Sequence, residues 1–325
     1  MKKINRRRFL GTVVQVAASL PLAKAGVAQP AVPQSQAAAS SAIIDAHTHF
    51  YDPSRAGGVP WPPREDKLLY RTVLPRNYRT VPVPRPVTST VVLEASPLLE
   101  DNQWVLDLAA REPFIVGFVG NLPVGTKSFG ENLKRFAQNP VFRGIRMHYR
   151  NAQATPENTL LFGDLKNLAD HDLSLDLMGG IEVLPFAARV AKEVPALRII
   201  IDHLAGAAID GKKPRENWVV QMQLIANKPG IFCKVSGLVE GTGRTDGSAP
   251  KDVEFYRPVL DTMRKLFGPE RLIYASNWPV SERYASLDTI QRIIEGYFQS
   301  QGPRAREQVF AKTAMSAYRC AQRTK

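Results

Sequence analysis

From residue 43 onward, short apolar runs alternate with longer segments whose apolar residues recur at helical spacing. The runs fall at 43–50, 90–94, 114–119, 142–148, 173–178, 197–203, 231–236 and 271–276, and predict eight strands. Helical spacing occupies 101–111, 129–138, 157–171, 183–193, 216–226, 253–267, 287–298 and 304–318. Alternation of this kind predicts a parallel sheet with helices packed against it. Eight such units fit an α/β fold of the (β/α)8 TIM-barrel type, an architecture of about 250 residues. An open doubly wound sheet is the alternative, but no glycine-rich phosphate loop follows the first strand. Residues 51–86 interrupt the rhythm with several prolines and Gly57-Gly58. So long a connection predicts a loop draped over a pocket mouth, with Trp61, Tyr70 and Tyr78 as candidate lid aromatics.

The polar residues gather at the carboxyl ends of these runs, where barrels of this type place their sites. The first run ends in His47 and His49, which share a strand face, with Asp45 expected behind them. Two adjacent imidazoles can hold a metal or grip an anion, and the chain has only 5 histidines. Glu94 ends the second run and Asp176 lies in the fifth. Arg146 and His148, two apart, are expected on one face of the fourth, with Arg143 out of phase and outward. His203 ends the sixth; its neighbour Asp202 is expected to face the other way and orient surrounding groups. Asn277 ends the eighth. His171 follows a helix and reads as surface.

Residues 1–40 contain no Asp or Glu. Basic residues culminating in Arg6-Arg7-Arg8 precede an apolar stretch too short to span a bilayer permanently. The leader, 1–28, reads as a twin-arginine signal peptide that sends the protein to the periplasm. Residues 29–41 read as a flexible spacer, and 42–325 as a single domain. The formal charge is +13. Six of these charges (Lys2, Lys3, Arg6, Arg7, Arg8 and Lys24) lie in the leader, which leaves the mature chain at +7. No dense basic run interleaved with aromatics supports nucleic-acid binding; the partner expected is a small, anionic molecule. The two cysteines, Cys233 and Cys320, form no framework.

Four ordered blocks resemble the amidohydrolase superfamily: Ile43-Ile44-Asp45-Ala46-His47-Thr48-His49; Phe142-Arg143-Gly144-Ile145-Arg146; Ile201-Asp202-His203-Leu204; and Arg271-Leu272-Ile273-Tyr274-Ala275-Ser276-Asn277-Trp278-Pro279-Val280. The resemblance is to the branch with sugar-acid lactonases and 2-pyrone-4,6-dicarboxylate lactonase, over residues 42–320. It implies opening of a small anionic or sugar-derived lactone by an activated water. It also implies one divalent ion, Zn or Mn, held by His47, His49 and His203, although some members of the branch work without metal. Catalysis then falls to His203, Arg146 and the Asn277 position, and substrate binding to Arg146, His148, Glu94 and Asp176. One residue departs from the pattern: where the family has an aspartate, this chain has Asn277. An amide cannot accept a proton near neutral pH, so a metal-activated water, His203, Glu94 or Asp176 has to take over. Otherwise the barrel only binds its ligand. A metal-dependent decarboxylase is the other reading of the same residues, and the oligomeric state is open.

Overall fold

The computed structural model describes residues 42–150 and 159–321. The expected signal peptide and spacer lie outside the described residues. Eight strands form one sheet in chain order: β1 (Ile44–Thr48), β2 (Ser89–Leu93), β3 (Ile115–Gly120), β4 (Phe142–His148), β5 (Ser174–Met178), β6 (Arg198–Ile201), β7 (Ile231–Val235) and β8 (Leu272–Tyr274). Every neighbouring pair is parallel. The seam between β8 and β1 is nearly closed by a parallel bridge from Thr48 to Trp278. There the His49 N–H donates to the Trp278 carbonyl at 3.0 Å.

Asp45 clamps that seam. Its Oδ1 accepts from the Ser276 N–H at 2.9 Å and from the His47 N–H at 3.2 Å. Its Oδ2 accepts from the Tyr78 hydroxyl at 2.7 Å. The β1–β2 register slips between Asp45 and Thr48. Asp45 therefore leaves the histidines' face instead of standing behind them as strand alternation predicts. Tyr78, one of the expected lid aromatics, sits in α1 (Pro75–Arg79) and is 3 % exposed. The segment 51–86 is thus less irregular than its prolines suggest: a Tyr51–Val73 antiparallel bridge also ties it down.

Outside the barrel run α2 (Asp101–Arg111), α3 (Phe129–Ala137), α4 (Thr159–Asp170), α5 (Leu184–Glu193), α6 (Glu216–Ala226), α7 (Val253–Phe267) and α8 (Leu287–Gln299). Their apolar stripes meet the outward residues of the strands: Val105, Leu106 and Ala109 of α2 join one cluster with Val92, Phe118 and Ile145. No helix among the described residues is long and apolar enough to cross a membrane.

The barrel interior is filled from below. Ile44, Ala46, Val91, Leu93, Val116, Ile200, Phe232 and Ile273 form a second cluster with Ala311, Ala314, Ala317 and Tyr318. Those four come from the C-terminal segment, where a π-helical turn (Gln308–Lys312) links α9 (Pro303–Glu307) to α10 (Thr313–Tyr318). Spacings of three and four put them on one helical face, and the alanines let that face approach the strand ends. The carbonyl end of α10 is capped by cations, as its unpaired acceptors and partial negative charge favour. Arg198 Nε donates to the Ala317 carbonyl at 2.7 Å and Arg143 Nη1 to the Arg319 carbonyl at 3.3 Å. Arg143 therefore runs beneath the barrel, not outward. The β3–β4 register slips beside it, and Gly117 leaves it room, since a Cβ there would lie 3.3 Å from Arg143 Cγ.

Tyr318 carries this floor into the polar interior: its hydroxyl donates to Asp176 Oδ2 at 2.7 Å, with both groups fully buried. Tyr318→Phe should therefore cost about 1–3 kcal/mol, the penalty for a buried acceptor losing a donor. Urea denaturation checks this, and an unchanged midpoint would contradict it.

Candidate active site

Above the apolar floor lies a buried ammonium. On β7, Ile231, Cys233 and Val235 face the helices, while Phe232 faces the interior with Lys234 in phase with it. Lys234 is 0 % exposed; its Nζ lies 2.5 Å from Asp176 Oδ2, 2.9 Å from Asp202 Oδ1 and 3.1 Å from His47 Nδ1. Asp202 continues the chain of charges: its Oδ2 accepts from Arg146 Nε at 3.1 Å. Arg146 Nη1 then faces Glu94 Oε1 at 3.5 Å. Burial opposes the Asp202 charge, but Lys234, His47 and Arg146 outweigh it and hold the carboxyl well below its usual range. Burial wins at Asp176 and pushes it up to about 6 against the pull of Lys234.

The histidines form a compact, uncharged group. His47 Nε2 and His49 Nε2 are 3.2 Å apart, and the His47 and His203 rings are 4.4 Å apart between centroids. Burial, with Lys234 next, holds His47 well below the ordinary histidine value. Burial and Arg146 bring His49 down to about 3, and burial brings His203 down to about 4. His49 Nδ1 faces the carbonyls of Leu93 and Glu94 at 3.2 and 3.1 Å. It must carry the ring proton there, which leaves Nε2 as a bare lone pair turned toward His47. His203 Nδ1 meets the Ser236 hydroxyl at 2.8 Å.

Two of these residues reach the site by leaving strand geometry. β6 ends at Ile201, two residues short of the expected His203. The phase is also the reverse of the expected one. Ile200 faces the interior, so Asp202 is the residue in phase with it and enters the charge network. His203 enters only because its backbone turns left-handed: φ is 51° at His203, 53° at Leu204, 49° at Ala205 and 66° at Gly206. Such backbone costs of order 1–3 kcal/mol per strained residue and persists where surroundings enforce it. Two contacts do so here. Gly237 presses on His203, where a Cβ would lie 2.7 Å from His203 Cβ, and the Trp218 indole donates to the Leu204 carbonyl at 2.8 Å. Asn277 is likewise left-handed, with φ 60°, a conformation in which Asn and His are enriched.

A cavity of about 490 Å³, open to solvent, lies over these groups; its walls include His49, Glu94, Arg146, His148, His203 and Asn277. The barrel thus brings together the expected residues His47, His49, Glu94, Arg146, His148, His203 and Asn277, with His47 fully buried behind His49. Asp176, expected to bind substrate, is not among the cavity's lining residues: it is 0 % exposed and held by Lys234 and Tyr318. Of the three lid aromatics, Trp61 alone lines the cavity, its ring 5.8 Å from that of His49. Exposed His171 bonds its own helix, as expected of a surface residue. Sequence reasoning missed Lys234, although a lone lysine inside an apolar barrel strand is itself a signal, because a buried ammonium requires carboxylate partners.

The donor set fits one divalent ion. Ligand atoms of His47, Asp202 and His203 lie within 4.8 Å of one another, and His49 adjoins them. Neutral imidazoles with one ionised carboxylate suit Zn or Mn. Asp202 Oδ1 is buried with no aligned hydrogen bond, which leaves a lone pair for such an ion.

The same network sets stability. Lys234→Met leaves Asp176 and Asp202 buried without their shared cation, so it should destabilise the fold by about 3–5 kcal/mol. Thermal and chemical denaturation check this; a melting temperature within a degree or two of the parent would contradict the network's role.

Residues 44–320 match the family model described as amidohydrolase. An L-fucono-1,5-lactonase of Burkholderia ambifaria is 30% identical over 285 residues, covering 85% of this chain and 95% of that protein. A crystal structure of an amidohydrolase from Burkholderia multivorans with bound zinc superposes with a TM-score of 0.75 at 23% identity, covering 86% of this chain and 99% of the other. A structure of amidohydrolase 2 from Bifidobacterium longum subsp. infantis superposes with a TM-score of 0.62 at 23% identity, covering 86% of this chain and 98% of the other. At these identities the two structures speak for the fold. With the family match spanning nearly the whole barrel, the chain belongs to the amidohydrolase family.

Proposed function

We propose that the protein is a lactonase that opens a small, uncharged, sugar-derived lactone by addition of water. The observation that carries this reading is the uncharged histidine group beside Arg146 and Glu94 at the carboxyl end of the barrel. The L-fucono-1,5-lactonase relative supports the substrate class. So does the charge of the pocket. Among the described residues that line the cavity, Arg146 is the sole Arg or Lys, and it already faces Asp202 and Glu94. Its charge is spent within the protein, which argues against the anionic substrate expected from net charge alone. Arg150 lies exposed beyond His148, outside those walls.

The chemistry follows from the residues. His47, Asp202 and His203, with His49 adjoining, would hold a divalent ion, which when bound would acidify water and polarise a carbonyl. Arg146 Nη2 faces the Met178 sulfur at 2.6 Å. A thioether is a weak acceptor, so this N–H is free to exchange it for the lactone carbonyl oxygen and stabilise the charge that develops there. Glu94 is the carboxylate that opens on the cavity, and burial raises it against Arg146, which strengthens it as a base. It takes the proton from the attacking water. The new bond forms from water oxygen to carbonyl carbon, the bond from that carbon to the ring oxygen breaks, and Glu94 returns the proton to the departing ring oxygen. The product is the open hydroxy acid.

Purified protein should release acid from L-fucono-1,5-lactone in a pH-stat. Glu94→Gln should lower kcat by 10²- to 10⁴-fold, the usual contribution of a positioned base. Acid release no faster than the blank would overturn the reading; full activity in Glu94→Gln would overturn the role of Glu94.

We also propose export to the periplasm, on the strength of Arg6-Arg7-Arg8 followed by Phe9-Leu10. Replacing Arg6 and Arg7 together by Lys should leave the protein in the cytoplasm, as cell fractionation would show. Unchanged export would exclude the twin-arginine route.

A further inference from the structure

Asn277 occupies the position where the resemblance places an aspartate, yet a carboxylate is not missing from this corner of the site. Glu240, in the loop after β7, lies against it: Asn277 Nδ2 donates to Glu240 Oε1 at 3.0 Å. Asn277 is 6 % exposed and lines the cavity, whereas Glu240 is not among the lining residues. An ionised carboxylate only accepts hydrogen bonds. Of the two ends of the amide it can therefore bond the NH2 and never the oxygen.

We infer that Glu240 is a positioning residue that fixes the Asn277 amide, so that Oδ1, and not Nδ2, is presented to the cavity. Asn277 then offers a substrate hydroxyl or the attacking water a fixed acceptor, the hydrogen-bonding half of what a carboxylate would offer, without its charge. The inference deepens the lactonase reading and rests on it for the group that meets Oδ1. Its structural half, the locked amide, stands apart from that reading.

Three observations bear on it. The backbone at Asn277 is left-handed, φ 60°, a conformation that asparagine and aspartate adopt more readily than most residues. The Ser281 N–H donates to the Asn277 carbonyl at 3.1 Å and so fixes the turn. Burial raises Glu240 to about 7, opposed by the Asn277 hydrogen bond and by its own backbone N–H. Tyr256 on α7 feels both the Glu240 charge and that of Arg244 on the same loop, while the influences on Glu240 itself are burial and these two hydrogen bonds. Below that value the protonated carboxyl becomes a donor, can bond the amide oxygen, and no longer enforces one orientation.

A consequence follows for the obvious restoration. Asn277→Asp sets two carboxyls at the same 3.0 Å separation. Like charges that close share a proton, so the substitution should raise the pair's apparent pKa and not simply supply a base.

The test is direct. In protein labelled with ¹⁵N-asparagine, the side-chain NH2 resonances of Asn277, assigned by their loss in Asn277→Ala, should shift with a midpoint near pH 7. They should be pH-independent in Glu240→Gln. Side-chain resonances that ignore pH between 5 and 9 in the parent, or that titrate identically in Glu240→Gln, would overturn the inference whatever the substrate proves to be. With L-fucono-1,5-lactone as probe, Glu240→Gln should lower kcat/KM about 10-fold in the parent and less than about 2-fold in Asn277→Ala, because the loss passes through one hydrogen-bonded amide. An equal loss in both backgrounds would mean that Glu240 acts on its own, and would overturn it too. Absence of hydrolysis in the parent, with the amide titration present, would sink the lactonase reading and leave the locked amide standing.

Discussion

The structure depends on the buried ammonium of Lys234. Two carboxylates, Asp176 on β5 and Asp202 just past the end of β6, lie within 2.9 Å of it, and all three groups are essentially excluded from water. Removing such charges from water costs several kcal/mol each, and mutual attraction returns this only when geometry and hydrogen bonds are good. The protein meets that condition by extending the cluster in both directions. Downward, Tyr318 joins Asp176 to the helix that plugs the barrel. Upward, Asp202 joins Arg146, and Arg146 joins Glu94 at the cavity wall. Packing at the floor and chemistry at the mouth are thus connected through one chain of hydrogen bonds and ion pairs.

The network also decides what the site can do. Asp202 is ionised because three cationic or imidazole neighbours outweigh its burial, while the histidines above it stay neutral because burial dominates there. Neutral imidazoles beside an anionic oxygen form a metal site; charged imidazoles would not. Arg146, with two carboxylates on its guanidinium, has little attraction left for an anion, but keeps one N–H edge on a weak sulfur acceptor. That combination suits a neutral carbonyl better than a carboxylate.

Much of this was legible in the sequence, and the failures share a physical cause. Apolar runs and helical spacing placed all eight strands, and helix bounds such as 101–111, 216–226 and 253–267 coincide with those observed. Arg146 and His148 are legible because ordinary strand alternation holds where they sit, and His47 and His49 because their two-residue spacing marks them as a pair despite the slip in β1. Alternation fails at the ends of β1, β6 and β8. A register slip turns Asp45 away from the histidines. Left-handed backbone swings His203 and Asn277 into the site, and it is Asp202, not His203, that is in phase with the interior. Arg143 was misplaced by the slip between β3 and β4. Lys234 was passed over because a single charge in an apolar run reads as an outward residue. Only the topology shows that its strand is covered on both faces. Glu240 carries no local signal at all; its role comes from the loop that folds it against Asn277.

The central claim is that a compensated guanidinium and neutral histidines select an uncharged lactone. The measurement that tests it most directly is the ratio of kcat/KM for L-fucono-1,5-lactone to that for 2-pyrone-4,6-dicarboxylate, taken on one preparation of the purified protein at two salt concentrations. The account predicts a preference for the uncharged lactone of about 100-fold or more, since a charged group left unpaired in such a pocket costs several kcal/mol. It also predicts a ratio insensitive to salt. A preference for the dicarboxylate that weakens as salt rises would show an uncompensated cation in the pocket, and would contradict the account.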